Sequence, residues 1–328
     1  MKQSVKKLDI PTKRGTVLDG VLFSSAKADA HGCASAGAPE GTSLRVAGTG
    51  RAAFAPADTV LIAITGIHGN FYSNPFYYNI GDTMNAAGMD FIYAQTNDAF
   101  GQIETYNIKT GQREIIGSWN EDFGYTDEDI EGYLDFAEQA GYKHIVLAGH
   151  SLGANKVIYY LSRHHDARVE HFVFLSPANI GYLTSDVTER EKQIIRQQVE
   201  RGEGDKMLPF PLLGWITCVA NTASQWVFDN ILDNVHVEKD GDFSSAEKIT
   251  HTGALVIGTY DNFTYGDPAG FLRNINEHIP TARENKLIFL DQTGHTYQQK
   301  EQELAEKLCS LIEGWRTEAE RKECNGVQ

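Results

Sequence analysis

Short apolar runs alternate with amphipathic stretches along most of the chain. Residues 16–23 show the two-residue alternation of a strand, and residues 58–65 are apolar almost throughout, as in a buried strand. Similar apolar runs predict further strands at residues 89–94, 144–148, 169–175, 253–258 and 286–290. Strands that are apolar on both faces and separated by helices indicate a mostly parallel central sheet flanked by helices, which is an α/β fold.

Helices are predicted where apolar residues recur every three or four positions. Residues 127–140 have one apolar face, Thr126 and Asp129 have the spacing of a capping box, and Gly141 suits a left-handed C-terminal cap. Another helix is predicted at residues 152–163. A final helix is predicted from the shared apolar face of Leu304, Leu308, Leu311, Ile312 and Trp315.

Two segments interrupt the alternation of strands and helices. Residues 24–57 are rich in Ala, Gly and Ser and lack large apolar side chains, so they predict a long flexible insertion. Residues 178–250 separate two core strands and carry helical signals, including a capping box at Thr188 and Glu191. We therefore predict an α/β core from residues 1–177 and 251–328, with residues 178–250 as a helical cap over the carboxyl edge of the sheet.

Composition and charge narrow the class of protein further. The net charge of −15 over 328 residues argues against a nucleic-acid partner. The four cysteines show no disulfide or zinc spacing. The first residues lack the apolar run of a secretory signal, and the longest apolar stretches are too short to cross a membrane. We therefore expect a cytoplasmic protein with no membrane association.

The sequence Gly149-His150-Ser151-Leu152-Gly153 carries the strongest chemical signal. It matches G-x-S-x-G and lies between an apolar strand and an amphipathic helix, where a sharp turn exposes a serine nucleophile. A serine that merely caps the helix is the structural alternative. The setting between strand and helix favours Ser151 as the nucleophile.

A serine nucleophile needs a histidine as base and an acid that orients the histidine. In this arrangement the chain order is serine, then acid, then histidine. His295 comes directly after the last apolar strand, so its imidazole is the predicted base. Asp261 follows the strand at residues 253–258 and is the predicted acid. Asp267 is the alternative, but Asp267-Pro268 has the pattern of a helix N-cap.

When Ser151 attacks a carbonyl group, the carbonyl oxygen becomes an oxyanion, which two N–H donors must stabilise. The first predicted donor is the backbone N–H of Leu152, at the start of a helix. The loop that follows residues 58–65 supplies the second, for which we predict the N–H of Asn70, with that of Gly69 as the alternative.

These motifs and their order resemble the α/β-hydrolase superfamily from about Thr16 to the final helix. The Ile-His-Gly-Asn loop, the Gly-His-Ser-Leu-Gly elbow and the cap also look like a group that includes fungal siderophore esterases, and like bacterial esterases related to feruloyl esterases. Residues 97–122 differ from the short Gly-x-Gly-x-Ser loop of many members. The resemblance implies an α/β-hydrolase fold with a helical cap.

The predicted function is hydrolysis of a small-molecule carboxylic ester through an acyl-Ser151 intermediate, with no cofactor and no metal. Hydrolysis of an amide, a thioester or a carbon–carbon bond with the same triad is an alternative, and so is a non-catalytic ligand-binding protein on this scaffold.

Four large apolar residues of the cap are the predicted contacts for an apolar or aromatic part of the substrate: Trp215, Trp226, Phe210 and Phe228. The alternatives for them are the interior of the cap or a homodimer contact.

Overall fold

A mixed sheet forms the centre of the molecule. The computed structural model describes residues 4–24, 44–45 and 56–326. Within these residues nine strands form one sheet, in the order β11-β10-β9-β8-β4-β5-β2-β1-β3. They are β1 (Ser4–Pro11), β2 (Val17–Ser24), β3 (Leu44–Arg45), β4 (Thr59–Ile64), β5 (Asp90–Ala94), β8 (His144–Ser151), β9 (Val169–Pro177), β10 (Thr252–Gly258) and β11 (Lys286–Leu290). A separate antiparallel hairpin consists of β6 (Ile103–Tyr106) and β7 (Arg113–Ile116).

Six neighbouring strands, from β11 through β10, β9, β8 and β4 to β5, run parallel to one another. The pairs β1–β2 and β2–β5 are antiparallel. The carboxyl ends of the parallel strands meet at one edge, where ligands bind in open α/β sheets. The predicted fold class, a mostly parallel sheet flanked by helices, is confirmed.

Eight helices occur in the described residues: α1 (Phe76–Ala86), α2 (Thr126–Ala140), α3 (Leu152–Arg163), α4 (Ile180–Thr184), α5 (Glu189–Glu200), α6 (Ala220–Val227), α7 (Pro268–Glu277) and α8 (Glu301–Gly326). Helices α2, α3 and α7 share one apolar cluster with the sheet, and α1 and α8 share another. Strand β4 shows why both faces are covered. Its side chains alternate between the two clusters, as the two-residue period of a strand requires.

Residues 178–250, which we call the cap, contain α4, α5 and α6 and supply most members of a third apolar cluster. Trp226, Leu212 and Ile195 contribute to it, and it also includes Leu152 at the first turn of α3. The predicted capping box of α5 is confirmed, because the Thr188 N–H donates to Glu191 Oε2 at 2.8 Å and the Glu191 N–H donates to Thr188 Oγ1 at 3.2 Å. Apolar residues of this cluster therefore pack against the first turn of α3, at Leu152.

The structure also differs from the expectations at particular elements. Strand β1 and the β6–β7 hairpin were not predicted, because the exposed lysines of β1 and the polar residues of the hairpin hide their alternation. Thr126 does not form a capping box, since α2 begins at Thr126 itself. Asp129 instead accepts a hydrogen bond from the Asn97 N–H at 2.8 Å and pairs with Arg14 at 2.7 Å.

The predicted insertion at residues 24–57 lies outside the described residues, apart from its ends and the short strand β3. Of the cysteines, Cys218 and Cys309 are buried free thiols. None of the helices in the described part of the chain has the length and apolar character needed to span a bilayer.

Candidate active site

Ser151 lies at the junction between β8 and α3. Its φ of 56° and ψ of −128° are strained for a serine. The turn requires a glycine two residues later, because a Cβ atom at Gly153 would lie 2.3 Å from the Ile64 carbonyl oxygen. This close approach of α3 to the end of β4 holds the Ser151 side chain at the carboxyl edge of the sheet.

The structure brings Ser151, His295 and Asp261 together from three separate segments at the carboxyl edge of the sheet. His295 Nε2 is 2.9 Å from Ser151 Oγ, and His295 Nδ1 is 2.9 Å from Asp261 Oδ2. The Asp261 carboxylate is fully buried, whereas His295 retains a little exposure. This chain of two hydrogen bonds gives the serine an adjacent base and the base an orienting acid.

Burial alone would raise the pKa of Asp261, but the hydrogen bond and the charge of His295 outweigh it and lower that pKa below its usual value. The Phe263 N–H donates to Asp261 Oδ1 at 3.1 Å, and the Ser176 hydroxyl also favours the carboxylate form. The acid is therefore held as a carboxylate facing His295 Nδ1. Donation of the Nδ1 proton to this carboxylate leaves Nε2 free to accept a proton from Ser151.

Asp267, the alternative acid, has a different role. Its carboxylate accepts a hydrogen bond from the Gly270 N–H at 2.8 Å, and Pro268 occupies the first turn of α7. Asp267 is therefore the N-cap of α7, as its sequence pattern predicts.

His150, beside the nucleophile, holds the backbone of the base. Its Nε2 donates to the His295 carbonyl oxygen at 2.8 Å. Burial, and secondarily the proximity of His295, lowers the pKa of His150 to about 3. A neutral His150 thus fixes the loop that carries His295 without competing as a base.

Neither predicted second donor to the oxyanion, the N–H of Asn70 or that of Gly69, is free in the structure. The Gly69 N–H donates to the Gly66 carbonyl oxygen at 2.8 Å, and the Asn70 N–H donates to Ser73 Oγ at 3.1 Å. Both groups therefore bond within their own turn. This outcome could not be read from the His-Gly pair alone.

The loop comes closest to the nucleophile at Gly66, where a Cβ atom would lie 2.9 Å from Ser151 Cβ. The next N–H, that of Ile67, makes no hydrogen bond within residues 4–24, 44–45 and 56–326. Leu152 is the first residue of α3, so its N–H has no intrahelical acceptor. The N–H groups of Leu152 and Ile67 are thus the two candidate donors beside Ser151.

The four predicted apolar contacts are dispersed. Trp226 is only 2% exposed and packs against Phe123 inside the cap, so its prediction as a substrate contact is wrong. Phe228 lies under the Arg196 guanidinium at 4.7 Å, and Phe210 lines a cavity of about 360 Å³ that none of the triad residues lines. Both side chains are therefore used within the cap.

Trp215 is the member of the predicted set that reaches the loop beside Ser151. It is 49% exposed, and its ring centroid is 5.0 Å from that of His68. Burial lowers the pKa of His68, against the opposing effect of Asp98. Trp215 therefore contacts an uncharged imidazole one residue from Ile67.

Sequence reasoning missed an aromatic group next to the base, His295. Phe263 lies edge-on to His295 with ring centroids 4.5 Å apart, and Tyr182 contacts both Phe263 and Tyr265. The available signal was the spacing Asp261-Asn-Phe263-Thr-Tyr265, which places two aromatic residues just beyond the predicted acid.

Sequence reasoning also missed a buried ionic group behind the nucleophile helix. Lys156 Nζ lies 2.7 Å from Glu121 Oε1 and 3.1 Å from Asp98 Oδ2, and all three side chains are almost fully buried. The Glu121 carbonyl oxygen accepts hydrogen bonds from Thr222 Oγ1 at 2.9 Å and from Gln225 Nε2 at 3.2 Å. The group therefore links α3, the loop after β5 and the cap helix α6.

In the part of the chain that the structure describes, no three His, Cys, Asp or Glu side chains come together as a possible metal site.

Comparison with solved structures identifies the fold. Est1E from Butyrivibrio proteoclasticus is 15% identical, with a TM-score of 0.55, and the match covers 94% of this chain and 97% of that chain. A Paleococcus ferrophilus monoacylglycerol lipase is 14% identical, with a TM-score of 0.53 and coverage of 95% and 98%. A Pyrococcus furiosus esterase is 12% identical, with a TM-score of 0.52 and coverage of 95% and 91%. The predicted α/β-hydrolase fold is confirmed.

Sequence comparisons assign the family. No curated protein sequence matches the chain. The family model described as "Protein of unknown function (DUF1749)" matches residues 46–252, which is more than half of the chain. The protein therefore belongs to the DUF1749 family and has the α/β-hydrolase fold.

Proposed function

We propose that the protein is a serine hydrolase that cleaves carboxylic esters through an acyl-Ser151 intermediate. One observation carries this proposal: Ser151 Oγ, His295 and Asp261 form an unbroken chain of two 2.9 Å hydrogen bonds at the carboxyl edge of the sheet. The strained backbone of Ser151 supports it, because such strain is common at reactive residues.

Acylation begins when Ser151 Oγ attacks the ester carbonyl carbon while His295 Nε2 accepts the hydroxyl proton. The electron pair of the C=O bond moves onto the carbonyl oxygen, which the N–H groups of Leu152 and Ile67 stabilise. The Asp261 carboxylate stabilises the imidazolium that forms. The C–O bond to the alcohol then breaks as His295 returns the proton to the leaving oxygen.

Deacylation repeats these steps with water. His295 Nε2 accepts a proton from water, the hydroxide attacks the acyl carbon, and the bond to Ser151 Oγ breaks as His295 returns the proton to it. The products are a carboxylic acid and an alcohol, and the enzyme is regenerated with no cofactor.

The fold is compatible with this chemistry. Proteins of the same fold include one titled an esterase, from Pyrococcus furiosus, and one titled a monoacylglycerol lipase, from Paleococcus ferrophilus. Est1E has also been crystallised with ferulic acid bound. At 12–15% identity these neighbours support the choice of ester hydrolysis without defining the substrate.

The test is a panel of acyl donors that share an acyl group: an ethyl ester, a thioester, an anilide and a ketone that would require C–C cleavage. We expect the ester to have the highest kcat/KM, and Ser151→Ala to lower kcat by at least ~10⁴-fold. Circular dichroism of Ser151→Ala should match the parent. Near-normal turnover by this variant, or preference for the anilide, would contradict the proposal.

A further inference from the structure

Three aromatic residues form a continuous wall beside His295, which we call the aromatic wall: Phe263, Tyr182 and Tyr265. The Phe263 and His295 rings are 4.5 Å apart at 78°. The Tyr182 ring lies 5.6 Å from that of Phe263 and 5.0 Å from that of Tyr265. The wall therefore extends outward from the imidazole that is the proposed proton donor to the leaving group.

The wall is anchored to the same elements as the triad. Phe263 belongs to the turn that carries Asp261, and its N–H donates to that carboxylate. Tyr182 lies on α4, directly after β9, whose residue Pro177 pairs with Ser151 in the sheet. Movement of the wall relative to Ser151 is thus restricted by the sheet itself.

The outer part of the wall is open to solvent. Tyr265 is 56% exposed, and Phe263 and Tyr182 are half-buried. Tyr265 also has a left-handed backbone, with φ of 51°, which is unusual for a bulky side chain. This conformation ends the short 3-10 turn Asn262–Thr264, of which Tyr265 is the C-cap, and the chain direction there leaves the ring at the surface.

The proposed reaction determines which part of the substrate meets the wall. His295 Nε2 protonates the leaving oxygen, so the alcohol must lie next to His295 when its bond breaks. The carbonyl oxygen points instead toward the N–H groups of Leu152 and Ile67. Groups attached to the leaving oxygen therefore lie on the side of Phe263, and groups on the acyl side lie away from it.

We propose that the aromatic wall binds the alcohol portion of the substrate and selects esters of aromatic alcohols. This inference rests on the proposed ester-hydrolase function and adds the substrate class. Phe263, Tyr182 and Tyr265 offer ring faces and edges but no charged group, which suits an aromatic ring in an edge-to-face or offset arrangement. Phe263 is a specificity-determining residue in this account, because it contacts both His295 and the space next to it.

Two substrate series test the inference. The first keeps acetate as the acyl group and varies the alcohol: ethyl, cyclohexylmethyl and benzyl. The second keeps ethanol and varies the acid: acetate and benzoate. In Phe263→Leu we expect the ratio of kcat/KM for benzyl acetate over ethyl acetate to fall by about tenfold, mainly through KM. The cyclohexylmethyl ester should lose less, and the benzoate-to-acetate ratio should stay constant.

Ratios between substrates cancel any general effect of a variant on His295. Tyr265→Asn is a second variant that removes an exposed ring and suits the left-handed backbone, so it tests the wall without disturbing the core. It should lower the benzyl-to-ethyl ratio as well. Tyr72→Leu is the matched control, because Tyr72 is an exposed aromatic residue that packs on Phe71 and should leave both ratios unchanged.

An unchanged benzyl-to-ethyl ratio in both wall variants would overturn the inference while leaving ester hydrolysis intact. A change confined to the benzoate-to-acetate ratio would overturn it too, because the wall would then contact the acid portion. If the parent protein cleaves none of these esters and Ser151 does not react with a fluorophosphonate, the proposed function fails together with this inference.

Discussion

Asp261 and Asp267 lie on the same connection between β10 and α7, yet their carboxylates have different partners. Asp261 contacts His295 Nδ1 at 2.9 Å, and Asp267 accepts the Gly270 N–H at the start of α7. One residue is therefore positioned to act on the base, and the other stabilises a helix. Substitutions can separate these two roles.

Asp261→Asn should lower kcat for ester hydrolysis by about 10⁴-fold, the size seen when the aspartate of a serine-protease triad becomes asparagine. Asp267→Asn should change neither activity nor stability much, since asparagine is an equally good N-cap. Asp267→Ala should lower the free energy of unfolding by roughly 0.5–2 kcal/mol with kcat retained. Steady-state kinetics and urea unfolding measure these effects. A larger loss of activity in Asp267→Asn than in Asp261→Asn would reverse the assignment.

Among the single residues of the site, the triad could be predicted from the sequence and the second oxyanion donor could not. Ser151, His295 and Asp261 could be predicted because each follows an apolar strand, so chain order alone places them at one edge. Gly69 and Asn70 could not be assessed, because their N–H groups bond to Gly66 and Ser73 within a compact turn. Which donor in a loop stays free depends on hydrogen bonds that no local pattern reveals.

At the scale of elements, the approach of α3 to β4 determines where the nucleophile lies. Gly153, in the first turn of α3, faces the carbonyl oxygens of Ile64 and Thr65, to which a Cβ atom would come within 2.3 and 2.5 Å. Backbone atoms of a central strand cannot move aside easily. The absence of a side chain at this position is therefore a packing requirement.

Gly153→Ala should lower the free energy of unfolding by about 1–3 kcal/mol, the usual range for overpacking, and should also reduce kcat by displacing Ser151. Gly314→Ala is the matched control. Gly314 lies within α8 with no atom near its Cβ direction, so this change should leave stability equal or raise it by up to about 1 kcal/mol. Thermal unfolding of both variants and of the parent measures these changes in stability. Equal effects would show that the α3–β4 contact is not restrictive.

Elements with a strong period were predicted well, and those that depend on tertiary partners were not. The strands β4 and β10 and the helix α3 follow from apolar runs and periodicity. The role of Asp129 does not, because its partners Arg14 and Asn97 are 115 and 32 positions away in the chain. Trp226 likewise is apolar and aromatic, as pocket residues often are, but it packs inside the third apolar cluster.

At the scale of the whole molecule, a buried ionic group connects helix α3 to helix α6 of residues 178–250. Lys156 of α3 pairs with Glu121 and Asp98, and the Glu121 carbonyl oxygen accepts hydrogen bonds from α6. Burial raises the pKa of Glu121 to about 8, despite the opposing attraction of Lys156, and the carboxylates of Asp98 and Asp129 add to the rise. Folding therefore favours protonated Glu121.

The sign of the resulting pH dependence follows from this rise. Below pH 4.5 Glu121 is protonated in both states, and its contribution to stability is fully present. Between pH 4.5 and about 8 the unfolded chain releases the proton while the folded protein keeps it, so this contribution declines as the pH rises. The pKa of Lys156 is also raised, above its ordinary 10.5, and its effect lies outside that window.

Glu121→Gln should remove this decline. We expect the free energy of unfolding of the variant to increase relative to that of the parent as the pH rises from 5 to 8.5, because only the parent loses this contribution. Urea unfolding at several pH values measures the difference. Glu203→Gln is a control, since Glu203 is only half-buried and Lys206 lowers its pKa, so it should not reproduce this trend. Parallel pH profiles for Glu121→Gln and the parent would contradict the account.

Covalent labelling tests directly whether Ser151 is a nucleophile activated by His295. The folded protein is treated with a fluorophosphonate, digested and mapped by mass spectrometry. In the parent protein we expect one adduct, on the peptide that contains Ser151. Ser151→Ala should form no adduct, and His295→Ala should be labelled much more slowly. An adduct on another residue, or equal labelling of Ser151→Ala and the parent, would contradict it.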